Sequence, residues 1–390
     1  MSHVKRVSSR VLLLFTAVIL GFIVLNELLL SGSMTLGEST ITTNTTNTTE
    51  KITRQSTPGK ISHLRVPFQY IPLHVIHTWK VREFLIVLGI PSMDIEERRR
   101  RRQLQRSTCW KYPQVATKSN NFTGLLLVLY AIGQHPSNKY EFSSALQQEA
   151  TQWFDVVTLS AHDMLPSTSK TIGLMGHWGL EAEIGMSRKT YQWFEMSLRM
   201  FPNVGYIAKG DDDMFMRVPQ FLVDLQTLPR RGLYWGSFVR WEKPRKKTKT
   251  KLYYAAGSCM ILARDVVQQF VSYKPLRELV RLPYKTERIK DFVSLNMDHE
   301  DMMVGRVLRD VQYSYLVVAR DKQCRFHNLH SGIPVRPVTQ NSLIVHHLSE
   351  SDYDMLMKRF GNDTHPSPQP YYRIGDRLIM FECKRVKRES

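Results

Sequence analysis

Short apolar runs alternate with a helical pattern in the part of the chain after residue 68. Residues 84–89, 124–132, 155–159 and 204–208 each form an apolar run bounded by Gly, Pro or polar residues, which predicts buried strands. Between the last two runs, residues 180–201 place apolar side chains on one helical face, and Pro202 ends the pattern. This alternation predicts an α/β fold with a mostly parallel sheet flanked by helices.

The first 67 residues predict a membrane anchor followed by a stem. Residues 11–30 are almost wholly apolar, and a helix of that length spans a bilayer core of roughly 30 Å. Because Lys5, Arg6 and Arg10 precede this run, the positive-inside rule keeps the flank cytoplasmic. We expect a cytoplasmic tail at 1–10, a transmembrane signal-anchor helix at 11–30, a disordered Ser/Thr-rich stem at 31–67 and a luminal domain at 68–390. A cleaved signal peptide is the alternative.

The charge balance indicates an anionic partner. The chain has 54 Lys plus Arg against 35 Asp plus Glu, which gives a net charge of +19. Arginines from residue 98 to Arg106 lie on a predicted helix, and residues 243–251 predict a solvated basic loop. Behind a membrane anchor, a nucleotide diphosphate or an acidic glycoconjugate is a better partner than nucleic acid.

Glycosylation sequons and cysteines agree with a luminal domain. The four sequons begin at Asn44, Asn47, Asn121 and Asn362. Four cysteines are too few for a disulfide-dense scaffold. In an oxidising compartment they could pair in any of three ways, and buried free thiols are the alternative.

Three adjacent carboxylates follow the predicted strand at 204–208. Asp211, Asp212 and Asp213 repel one another, and a bound divalent cation would compensate for that repulsion. Oxygen ligands suit Mn²⁺ or Mg²⁺, and alternate residues of an extended segment face the same side. The triplet therefore predicts a metal site through Asp211 and Asp213, with an acidic surface turn as the alternative.

Other residues could complete a site with this triplet. Glu300 and Asp301 begin a predicted helix, where ordinary helix capping is the alternative. Ala256 and Gly257 lie in a run of small residues that would allow a close backbone approach to a ligand. His346 lies at the end of a short apolar run, where a structural role is the alternative.

The order of these motifs resembles the β-1,3-glycosyltransferase superfamily over residues 84–348, and most closely its trypanosomatid branch. That superfamily includes β-1,3-galactosyl- and N-acetylglucosaminyltransferases and, more distantly, Fringe. The most specific match is YIAKGDDDMFM, followed by YYAAGSCMILARDVV, HEDMMVG and Val345-His346. Two departures are the insertion of Cys109 before Trp110 and the presence of alanine, including Ala256, where the family has glycine.

The resemblance implies a GT-A-like, Rossmann-type fold and a UDP-sugar-dependent, inverting hexosyltransferase anchored in the Golgi membrane. It implies Mn²⁺, or Mg²⁺, bound by Asp211, Asp213 and His346, with Asp301 as the general base. It further implies donor contacts from Arg102, Arg106 and Asp212, and an acceptor and donor loop of Ala256, Gly257 and Glu300.

The resemblance leaves several alternatives open. The donor is UDP-N-acetylglucosamine or UDP-galactose, and the acceptor is a glycan hydroxyl in β-1,3 or β-1,2 linkage. A UDP-galactose β-1,3-galactosyltransferase, a non-catalytic lectin-like protein on the same fold, and a metal-dependent phosphotransferase or hydrolase are the competing functions. No nucleic-acid partner is expected, and the oligomeric state is open.

Overall fold

The computed structural model describes residues 66–242 and 251–383. The predicted tail, the anchor, nearly all of the stem, the sequons at Asn44 and Asn47 and most of the basic loop lie outside these residues. Among the described helices, none is long and apolar enough to cross a membrane.

The described residues form thirteen strands and ten α-helices. The strands are β1 Ile86–Ser92, β2 Val115–Ala116, β3 Leu126–Gln134, β4 Val156–His162, β5 Tyr206–Gly210, β6 Phe215–Met216, β7 Leu233–Glu242, β8 Lys251–Ala263, β9 Val317–Asp321, β10 Phe326–Asn328, β11 Ile344–His346, β12 Tyr371–Ile374 and β13 Leu378–Phe381. The helices are α1 Leu73–Val81, α2 Glu96–Ser107, α3 Ser144–Trp153, α4 Leu180–Met200, α5 Val218–Gln226, α6 Arg264–Ser272, α7 Lys274–Leu279, α8 Ile289–Ser294, α9 Glu300–Val311 and α10 Asp352–Phe360.

A ten-stranded, mostly parallel sheet forms the centre of the molecule, in the order β12-β13-β9-β7-β8-β5-β1-β3-β2, with β4 also paired to β3. The four strands predicted from apolar runs are β1, β3, β4 and β5, and they pair in parallel through β3 and β1. Every residue of β1 is buried, as expected of a central parallel strand covered on both faces. The prediction of a mostly parallel α/β sheet flanked by helices is therefore confirmed.

The antiparallel pairs of this sheet were not predicted. Strand β8 runs antiparallel to both β5 and β7, and β12 runs antiparallel to β13. Strand β8 also contains the run of small residues, Ala256 and Gly257 among them, for which the resemblance implied an acceptor and donor loop.

The predicted amphipathic helix is α4, which begins at Leu180 and ends at Met200. Its buried face includes Ile184, Tyr191 and Phe194. Trp193 on the same helix donates a 2.9 Å hydrogen bond from Nε1 to the carbonyl of Ala208. A Cβ on Gly89 would lie 2.0 Å from the Trp193 ring, so glycine at this position allows α4 to pack directly on β1.

A second sheet of three short strands holds the segment that follows the aspartate triplet. Strand β11 pairs in parallel with β10 and antiparallel with β6, and Val345 lies opposite Phe215. Because β6 begins directly after the triplet and β11 ends at His346, this pairing brings the histidine to the aspartates.

One disulfide joins Cys324 to Cys383, while Cys109 and Cys259 are buried free thiols. The four cysteines therefore combine one bridge with two unpaired residues. The disulfide links the segment before β10 to the end of the described chain, just after β13.

Candidate metal and acid–base site

The aspartate triplet lies at the carboxyl end of β5, where ligands bind in parallel α/β sheets. His346 Nε2 lies 3.0 Å from Asp213 Oδ1 and 3.2 Å from Asp211 Oδ2. The second oxygen of Asp213 accepts a 3.1 Å hydrogen bond from the backbone N–H of Gly173. The structure thus brings together all three residues that the sequence predicted as metal ligands.

Burial and neighbouring charges strongly shift the pKa values in this cluster. Burial lowers the pKa of His346, but Asp213 and Asp211 outweigh that effect and raise it to about 9. Burial raises the pKa of Asp211, but Lys209 and His346 bring it down to about 2. The pKa of Asp213 is lowered further, because His346 and Arg98 oppose the effect of burial. A cation bound at these atoms would compete with the imidazole proton.

The donor set fits a divalent transition metal. Asp213, His346 and His347 each offer a ligand atom, and these atoms lie within 4.8 Å of one another. Carboxylate and imidazole donors suit Mn²⁺ and its first-row neighbours. The residues also line a cavity of about 110 Å³ that includes Asp211, Glu300 and Trp178.

The carboxylate of Asp212 points towards helix α2 and not towards His346. Its Oδ2 accepts a 2.7 Å hydrogen bond from Ser92 Oγ, and its Oδ1 forms an ion pair with Arg98. The side chain of Asp212 is 2% exposed, and it lines the same cavity as Arg98. Its predicted contact with the donor stays a prediction.

The two arginines predicted to contact the donor lie in a buried ionic network. Arg102 donates to both carboxylate oxygens of Glu149 at 2.7 and 2.6 Å, and Arg106 pairs with Glu149 and Asp155. Among the described residues, neither arginine lines the cavity around the triplet. Arg102 is connected to the triplet through Ser92, whose Oγ accepts its hydrogen bond at 3.0 Å and donates to Asp212.

Arg106 instead lines a separate cavity of about 830 Å³ with Trp110 and Trp153. The α2 arginine in contact with the triplet is Arg98, four residues before Arg102 and on the same helical face. The sequence placed Arg98 in the basic run but gave no reason to choose it over Arg102 or Arg106 as a residue of the site.

Strand β8 departs from β7 at the predicted acceptor and donor loop. Between the pairs Gly236–Met260 and Phe238–Ala255, β7 has one residue whereas β8 has four, and these four include Ala256 and Gly257. The Gly257 carbonyl accepts a 2.9 Å hydrogen bond from Lys209 Nζ, and its N–H donates to Asp301 Oδ2 at 3.2 Å. A Cβ on Gly257 would lie 2.7 Å from Glu300 Oε1, so a larger residue here would displace the Glu300 carboxylate.

Glu300 and Asp301 form the first turn of α9, as predicted. Burial raises the pKa of Asp301 to about 7, and the adjacent Glu300 adds to this effect while Lys209 opposes it. A carboxyl group that titrates near neutral pH is suited to general acid–base chemistry.

The remaining predicted modification sites are accessible. Asn121 and Asn362 are both exposed, as attachment of a glycan requires. Asn121 lies beside Asn120 and Phe122, which line the cavity of about 830 Å³.

The structure also adds residues to the site. Lys209 lies within one motif that the sequence singled out and His347 directly follows another, but no role followed from the sequence for either of them. Trp178 and Glu183 also line the cavity, and no pattern in the sequence marked either of them.

No protein-family model matches this chain, and no curated protein matches its sequence significantly.

Proposed function

We propose that the protein is an inverting, metal-dependent glycosyltransferase that uses a nucleoside diphosphate sugar, with a GT-A-like, Rossmann-type fold. The observation that carries this proposal is the convergence of Asp211, Asp213 and His346 at the end of β5. Asp301 lies on the neighbouring α9, in a setting that raises its pKa to about 7. The group proposed to bind the metal and the carboxylate proposed as base are therefore connected through Lys209 and Gly257 but lie in different environments.

The chemistry requires two functions that these residues can divide. Asp213, Asp211 and His346 would hold a cation, which would supply the positive charge that neutralises the departing diphosphate. Asp301, when ionised, accepts the proton of the acceptor hydroxyl at a carboxylate oxygen. A base that is separate from the donor, on the far side of the sugar, gives inversion and a β-linked product from an α-linked donor.

The proposed donor rests on the motif resemblance. The proposed location rests on that resemblance and on three features of the chain. We propose UDP-N-acetylglucosamine or UDP-galactose as donor, a glycan hydroxyl as acceptor, and a type II Golgi membrane protein. The apolar run at 11–30, the sequons and the Cys324–Cys383 disulfide agree with a luminal domain, because disulfides persist in oxidising compartments. UDP-galactose with a β-1,3 linkage is the alternative specificity.

A panel of donors and acceptors tests the proposal directly. Full-length protein in detergent is incubated with UDP-N-acetylglucosamine or UDP-galactose and with mannosyl or galactosyl acceptors, in Mn²⁺ or in EDTA. We expect transfer with one donor, loss of transfer in EDTA, and recovery when Mn²⁺ is restored. Linkage analysis of the product by NMR then identifies the bond formed.

Other outcomes point to other functions. Transfer that is indifferent to chelation would refute the metal site at the aspartate triplet. Release of phosphate from nucleotides without any sugar acceptor would indicate a phosphotransferase or hydrolase. Binding of glycans without turnover under every condition would indicate a lectin-like protein.

A further inference from the structure

We infer that His347 is a further ligand of the cation at this site, which is therefore held by two adjacent imidazoles together with carboxylate oxygen. This inference rests on the proposed metal site and extends it to a residue that the sequence did not assign. It also predicts which metals the site prefers.

The backbone at His347 departs from the strand that precedes it. In a β-strand, neighbouring side chains point to opposite faces, so His346 and His347 would normally face apart. His347 instead has a φ of 55°, in the left-handed region that residues other than glycine rarely adopt. The two imidazole rings lie with their centroids 4.0 Å apart, so both lie at the same place beside the aspartates.

Hydrogen bonds fix the orientation of both rings. His347 Nδ1 lies 2.6 Å from the carbonyl oxygen of Ser331, which can only accept, so Nδ1 carries the hydrogen and Nε2 carries the lone pair. His346 Nδ1 lies 3.0 Å from Asn328 Oδ1 in a similar arrangement. Metal-binding histidines commonly donate their second ring N–H to a carbonyl or carboxylate in this way.

Gly332 leaves room for the His347 ring. A Cβ at this glycine would lie 2.5 Å from Asn328 Nδ2 and 3.2 Å from both Cε1 and Nδ1 of His347, and the glycine has a φ of 96°. A side chain here would therefore displace Asn328, which contacts His346, and crowd the His347 ring. The segment from Ser331 to Gly332 thus orients the His347 imidazole and leaves space for it.

The ligand atoms of Asp213, His346 and His347 lie within 4.8 Å of one another, and both histidines line the cavity that contains the aspartate triplet. A second imidazole ligand changes which metal ions the site prefers. Mg²⁺ prefers an all-oxygen shell, whereas the affinity of a site with nitrogen ligands rises along the first-row transition metals from Mn²⁺ through Co²⁺ towards the later ions. We therefore expect the protein to select Mn²⁺ over Mg²⁺ more strongly than a site with one histidine would.

The test measures metal binding without turnover. Mn²⁺ alone is titrated into the full-length protein by calorimetry, and pulsed EPR counts the nitrogen nuclei coupled to the bound ion. The variants are His347→Ala and His347→Asn, the second because asparagine tolerates a positive φ and preserves the local backbone. His365→Ala is the matched control, since His365 is exposed and its ring contacts Thr364.

We expect two coupled imidazole nitrogens in the unmodified protein and one in both His347 variants. We also expect the Kd for Mn²⁺ to rise by at least about 10-fold in those variants, with little change for Mg²⁺ and none in the control. A single coupled nitrogen, with an unchanged Kd in His347→Asn, would overturn the assignment of His347 but leave the metal site intact. An unmodified protein that binds no Mn²⁺ would instead overturn both this inference and the proposed function.

Discussion

Lys209 Nζ lies 2.8 Å from Glu300 Oε1, and the same ammonium forms an ion pair with Asp211. Lys209 is completely buried, and its third acceptor is the carbonyl of Gly257 at 2.9 Å. One buried cation therefore connects the end of β5, the irregular part of β8 and the first turn of α9. This connection fixes the position of the proposed metal ligands relative to the proposed base.

Replacement of Lys209 should destabilise the protein and disturb the site. Lys209→Met keeps most of the side-chain volume but leaves Asp211 and Glu300 without their cation. Because removing one partner of a buried ion pair leaves an uncompensated charge, we expect the free energy of unfolding to fall by about 3 kcal/mol. Denaturant titration measures this change.

Lys274→Met is the matched control for Lys209→Met, since the Lys274 side chain is 73% exposed and forms an ion pair with Glu278 within one helix. Such an exposed substitution should change the free energy of unfolding by less than about 0.5 kcal/mol. Equal effects of the two substitutions would contradict the structural role of Lys209.

Asp301→Asn should remove the base without removing donor binding. The amide has nearly the same shape but cannot accept the acceptor proton, so we expect kcat to fall by about 10²–10⁴-fold. Calorimetry with the UDP-sugar and Mn²⁺ should give an almost unchanged Kd. Asp310→Asn, near the far end of α9, is the control and should keep its kcat. An unchanged kcat in Asp301→Asn would show that another residue is the base.

The raised pKa of Asp301 predicts the pH dependence of the reaction. A base must be ionised to act, and burial raises the pKa of this carboxyl from its ordinary value of 3.8 to about 7. We therefore expect kcat/KM to fall about tenfold per pH unit below 7 and to level off above it. A profile that stays flat down to pH 5 would contradict the assignment.

The same pKa shift has the opposite consequence for stability. A carboxyl with a raised pKa in the folded state binds a proton more tightly when folded than when unfolded, so it contributes most to stability below pH 4. That contribution is lost as the pH rises through about 7. In Asp301→Asn, this part of the pH dependence of the unfolding free energy should disappear, as denaturant titrations between pH 5 and 8 would show.

Strong local patterns made much of the fold predictable. Strand β1 is a continuous apolar run because both of its faces are buried, and α4 has a regular apolar face that ends beside Pro202. The aspartate triplet was identifiable because repelling carboxylates at a strand end need compensation. Each of these signals lies within a short stretch of sequence.

The rest of the site depends on contacts between distant segments. Arg98 and Arg102 occupy the same face of α2, so helical periodicity cannot decide which of them contacts Asp212. Two of the three partners of Lys209, Gly257 and Glu300, lie 48 and 91 residues away, and no local pattern encodes them. The left-handed φ of His347 likewise has no signature in the neighbouring residues of the sequence.

The disulfide predicts how the domain should respond to reduction. Cys324 and Cys383 are separated by 59 residues, and closing a loop of that length in the unfolded chain corresponds to about 4 kcal/mol in the chain-entropy account. We expect Cys324→Ser combined with Cys383→Ser to lower the free energy of unfolding by an amount of that order. Dithiothreitol should destabilise the unmodified protein similarly but leave the double variant unchanged, because its remaining thiols are already free. If reduction has no effect on the unmodified protein, the bridge contributes nothing to its stability.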